Sequence, residues 1–111
     1  MIHLLRQKAT AAQLAGMLET LDVYVKLAVD IELEIAAGGG ALHADCEAVL
    51  LEAGSRQVDI WGADWIPSSG EVRYEALINI RPSQHNPSMT IADPAIRAKV
   101  KKVVEELMSG I

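Results

Sequence analysis

Apolar and polar positions change period several times along the chain, and each change predicts an element. Residues 2–6 form a short apolar segment that reads as an edge strand. Thr10 and Gln13 fit a capping box, and Leu14, Met17, Leu18 and Leu21 then follow at helical spacing, which predicts a helix over 10–21. From Asp22 to Ile35 the period shortens to two, with Val23, Val25, Leu27, Val29, Ile31, Leu33 and Ile35 alternating with polar or small residues. That alternation favours a strand. A helix stays open, because Leu21, Val25, Ala28 and Ile35 also line up and Gly38 could cap its end.

The remainder reads as a run of hairpins followed by a helix. Gly38-Gly39-Gly40 turns the chain into a second strand over 42–52, and Gly54-Ser55 is a two-residue hairpin signal. A third strand covers 57–66, Pro67-Ser68-Ser69-Gly70 turns again, and a fourth covers 71–81. After a polar loop at 82–88, Met89-Thr90-Ile91 reads as a short edge strand. Asp93-Pro94 opens the last helix, whose stripe is Ile96, Val100, Val103, Val104 and Leu107. Its Arg97, Lys99, Lys101 and Lys102 form a solvated face.

Register follows from the turns. Placing Ile66 opposite Glu71 sets Asp64 opposite Arg73, a favourable cross-strand pair. The same alignment puts Trp61 and Trp65 beside small residues on the buried face. The expected fold is α+β: a two-layer sandwich, with an antiparallel sheet of four or more strands and the N-terminal and C-terminal helices on one face. Residues 1–111 read as a single domain.

Composition narrows the function classes. Half of the chain is hydrophobic but it has no Phe, so the core is aliphatic. The net charge of −5 argues against nucleic acid and acidic membrane surfaces as partners. A single cysteine excludes an internal disulfide and suits a reducing cytoplasm. The N-terminus does not read as a signal peptide, and no apolar run approaches the roughly 20 residues of a membrane span.

Read as a strand, His43-Ala44-Asp45-Cys46-Glu47 puts His43, Asp45 and Glu47 on one face. Asp30 and Asp64 can join from neighbouring strands, so these five are the candidate ligands for a divalent metal. The same groups, with Arg81, could serve acid–base or hydrolytic chemistry. Arg73, Arg81, His85 and Asn86 are candidate ligand-binding residues, since the 79–86 segment is dense in donors for an anion. Trp61 and Trp65 could stack on a ring, although core packing under the helices is favoured. The other end of the outer sheet face carries Val49, Leu51, Val58, Ile60 and Leu77, an apolar patch that suggests a homodimer through the sheet.

Lys26–Asp30, Gly38–Gly40, His43–Glu47, Trp61–Trp65 and Asn79–Pro82 together resemble a family of small bacterial proteins known as a domain of unknown function. That resemblance implies a prokaryotic cytoplasmic setting and no mechanism. Three readings remain: a homo-oligomeric binding protein with an acidic site for a divalent metal, a small hydrolase or acid–base enzyme, and a protein-interaction module or accessory subunit.

Overall fold

A computed structural model describes Met1–Ile111. The elements are β1 (His3–Leu5), α1 (Ala11–Leu18), β2 (Val25–Asp30), β3 (Ile35–Gly38), α2 (His43–Glu52), β4 (Ile60–Ile66), β5 (Glu71–Arg73) and α3 (Pro94–Met108). Short 3-10 turns lie at Gln57–Asp59, Leu77–Asn79 and Pro82–Gln84. The five strands form one sheet in the order β1-β3-β2-β4-β5, with every neighbouring pair antiparallel.

The fold is α+β with an antiparallel sheet, as the pattern implies, and α1 and α3 share one face. Alternate residues of each strand separate two cores. Val25, Leu27, Val29, Ala36, Trp61, Ala63 and Trp65 pack with Met17 of α1 and with Val100, Val103, Val104 and Leu107 of α3. On the other face Ala28, Ile35, Ala37 and Ile60 pack with Cys46 and Leu50 of α2. The α2 layer is absent from the two-layer expectation. Small side chains at Ala28 and Ala37 let the helix sit close to the sheet.

Several expected boundaries hold and others move. The capping box at α1 is present, with Gln13 N donating to Thr10 Oγ1 at 3.1 Å and Thr10 N to Gln13 Oε1 at 2.9 Å. The helix stops at Leu18, and Asp22 adopts a left-handed φ of 68° before β2. The 22–35 alternation is not one strand. Asp30 Oδ1 accepts from Glu32 N and Leu33 N, both at 2.9 Å, and this Asx-type turn folds the chain back into β3. Asp30, the last residue of β2, is therefore buried with its side chain serving the turn rather than an open polar face.

The largest correction is residues 42–52, expected as a strand and found as helix α2. Leu42, Cys46, Val49 and Leu50 are spaced i, i+4, i+7 and i+8, and the segment is rich in Ala, Leu and Glu, all strong helix formers. Gly54-Ser55 is correspondingly a helix exit and not a hairpin. Gly54 N bonds Leu51 O and Ser55 N bonds Leu50 O with Gly54 at φ 103°, which is a Schellman motif.

The pairing of β4 with β5 matches the expected register, with Asp64 opposite Arg73 and Ile66 opposite Glu71. The expected strand over 71–81 ends at Arg73, and two buried asparagines organise the segment beyond it. Asn79 Oδ1 accepts from Gly62 N at 2.8 Å, and its Nδ2 donates to Gly62 O at 3.1 Å, so an amide side chain pairs with β4 where β5 has ended. Asn79 Nδ2 also lies 3.3 Å from Tyr74 O and 3.2 Å from Met89 O. Asn86 Nδ2 donates to Asn79 O at 2.7 Å, and its Oδ1 accepts from Ala92 N at 2.9 Å. Gly62 is required at this crossing, because a Cβ there would run into Ala76. Met89–Ile91 contributes only the bridge of Thr90 to Glu75. Helix α3 starts as expected, with Asp93 capping Ala95 N at 2.8 Å and Pro94 in the first turn. No helix is long and apolar enough to cross a membrane.

Candidate functional site

Helix α2 disperses the expected metal ligands. At 3.6 residues per turn, His43 and Asp45 point about 200° apart, while His43 and Glu47 share a side one turn from each other. Asp45 is exposed. Glu47 turns to Arg81, and Asp30 serves the β2–β3 turn. No group of three or more His, Cys, Asp or Glu side chains is placed to hold a metal ion. Of the five residues, the fold brings two together: His43 and Asp64.

That pair lies where the first turn of α2 crosses β4. His43 Nε2 is 2.8 Å from Asp64 Oδ1 and 3.2 Å from Ala63 O. Both partners are acceptors, so Nε2 carries a proton, and in the neutral ring the lone pair belongs to Nδ1. The side chains are 10% and 13% exposed. Lys26, directly opposite Asp64 in the sheet, sends its Nζ to Ala41 O at 3.0 Å. Lys26 and Asp30, both on β2, form no ion pair.

A cleft of about 350 Å³ opens beside the pair. His43, Ala44 and Leu42 form one wall, Glu75–Ile78 and Met89 the other, and Asp64 and Lys26 also line it. Most of the lining is apolar, and the 75–78 wall is held against β4 through Asn79. Sequence alternation places Glu75 on the same sheet face as Asp64 without marking it as a site residue, and it misses the apolar lining, which converges only once α2 is a helix.

Arg81, the expected anion receiver, is turned inward. Its Nη2 is 3.2 Å from Glu47 Oε2, its Nη1 2.6 Å from Gln57 O, and its Nε 3.0 Å from Ile78 O. Nη1 also reaches Gln84 Oε1 at 3.4 Å, and the guanidinium carbon lies 5.0 Å from the centroid of the Trp61 ring. Burial pulls the Arg81 pKa below its ordinary value, and Glu47 opposes that shift. The arrangement clamps α2 to the Gln57–Asp59 turn and the 77–84 segment. The remaining ligand-binding candidates do not converge. Asn86 is buried in its own network, His85 is exposed at a left-handed φ of 59°, and exposed Arg73 lies 3.4 Å from Glu71.

Cys46 is fully buried against the sheet. Burial pushes its thiol pKa up, partly opposed by a backbone hydrogen bond from Gly40, so it is not an activated nucleophile. Trp61 and Trp65 are buried in the α1–α3 core, where packing and not stacking on a ligand occupies them. The apolar patch expected to drive dimerisation is divided: Ile60 is buried beneath α2, while Leu51, Val58 and Leu77 remain exposed. The sheet face that was to form the interface is itself covered by the helix.

The molecule is thus an α+β protein whose helix-covered sheet carries a His–Asp pair at the edge of an apolar cleft. The chain belongs to the family described as Protein of unknown function (DUF5674), whose model matches residues 3–107. No curated protein and no solved structure matches it.

Proposed function

We propose that the cleft binds a small molecule and that His43, steadied by Asp64, accepts a proton or hydrogen bond from it through Nδ1. The observation that carries this reading is the placement of Nε2 between two acceptors, Asp64 Oδ1 and Ala63 O. A histidine held in one tautomer by a carboxylate is pre-oriented as a general base. The largely apolar lining supports the same reading, since polar interactions strengthen where water is scarce. This is acid–base chemistry with Asp64 as the partner of His43, in place of Asp45, Glu47 and Arg81.

The test is a long-range proton–nitrogen correlation spectrum of the three imidazoles. The neutral form of His43 is expected to carry its proton on Nε2, and Asp64→Asn is expected to yield a mixture of tautomers. A proton on Nδ1 in the native chain would remove the proposed base. A second reading, contact with another protein surface, draws on Leu42, Leu77 and Met89, which are 57%, 70% and 43% exposed around the same cleft.

A further inference from the structure

We infer that the ligand of this cleft has an apolar body and a cationic head bearing N–H groups, an inference that rests on the cleft being a ligand site. The ionised groups lining the cleft are Lys26, Asp64 and Glu75, two carboxylates against one ammonium. Lys26 already donates to Ala41 O at 3.0 Å. Asp64 engages His43 through Oδ1, leaving Oδ2 without a protein partner. Glu75 is held at the wall by its backbone bridge to Thr90, and its side chain forms no ion pair.

His43 adds a third acceptor. Its side chain is nine-tenths buried, its Nε2 is committed to Asp64 and Ala63, and its Nδ1 has no protein partner. The unsatisfied valences facing the cleft are therefore mainly lone pairs. An ammonium or guanidinium supplies the missing donors, whereas a carboxylate or phosphate meets two like charges. Leu42, Leu77 and Met89 offer apolar surface for the body of such a molecule. The net charge of −5 favours the approach of cations from a distance.

Matched probes test the inference on the intact chain. Hexylammonium, hexanoate and hexanol, at physiological ionic strength, are titrated into isotope-labelled protein while the amides of Ala44, Ala76, Leu77 and Ile78 are followed. Hexylammonium is expected to shift these amides saturably and to bind about tenfold more tightly than hexanoate. Glu75→Gln, at an exposed position where folding is preserved, is expected to shrink that preference to about threefold. Hexanoate binding as tightly as hexylammonium overturns the charge assignment and leaves the cleft a ligand site. Absence of any saturable shift with all three probes, or shifts spread over the surface without saturation, overturns the reading on which it rests.

Discussion

Two acid–base pairs link successive turns of α2 to the rest of the molecule, and they differ in what they leave free. At Glu47, the partner Arg81 directs its donors at Gln57 O, Ile78 O, Gln84 Oε1 and the carboxylate itself. At His43, the partner Asp64 engages one ring nitrogen and leaves the other without a protein partner. Both pairs are largely buried. Burial and charge alone would rank them equally. The difference is residual hydrogen-bonding capacity next to open volume, and this marks the first pair as a clamp and the second as a candidate site.

Removing the clamp is expected to have the largest effect on stability. Arg81→Met leaves Glu47 and two backbone carbonyls without their donor and should lower the unfolding free energy by about 3–5 kcal/mol. Urea denaturation measures it. An effect as small as that of the His43 pair would erase the distinction between the two. His43→Gln should cost far less, about 1 kcal/mol, because one hydrogen bond to Asp64 is lost or replaced. Its larger consequence is expected in the hexylammonium titration, where affinity falls while the melting temperature drops by only about 4 °C.

Cys46 lies on α2 between the two pairs and sharpens the comparison from the apolar side. Burial raises its pKa, so the folded chain holds the thiol proton more tightly than the unfolded one. Stability should therefore decline as pH rises above the ordinary thiol value, since the unfolded state then releases a proton that the folded state retains. The expected effect is the smallest of the three. It is read as the alkaline slope of the melting temperature in native protein against Cys46→Ala. Equal slopes in both would show that the thiol contributes nothing to it.

The sheet was legible where alternation and turn chemistry agreed. The pairing of β4 with β5 came out in register because Pro67-Ser68-Ser69-Gly70 marks the turn and Asp64 and Arg73 complement each other. The capped starts of α1 and α3 were legible for the same local reason. Helix α2 was not, since the alternating polar residues from His43 to Glu47 satisfy a strand period as readily as the apolar residues satisfy a helical one. Reading it as a strand placed His43, Asp45 and Glu47 together and sent Arg81 outward. His43 and Asp64 were both identified as site residues, but their contact depends on a helix crossing a strand, which no local spacing encodes. The turn at Asp30 was hidden similarly, because the polar residues that fold the chain back also continue its alternation.

The way Asn79 replaces a strand has a consequence for motion. The floor of the cleft belongs to a ladder of backbone hydrogen bonds running through β2 and β4. Its 75–78 wall packs over Gly62 through Ala76 and Ile78, and the amide side chain of Asn79, itself held by Asn86, hydrogen-bonds that same stretch of β4. Floor and wall are thus expected to open as different cooperative units, the wall without unravelling the sheet. A cleft built this way changes its width at the expense of the Asn79 hydrogen bonds and the packing of Ala76 and Ile78 on Gly62, and slow exchange of the Gly62 amide is expected to be a clock for the wall's opening rather than for global unfolding.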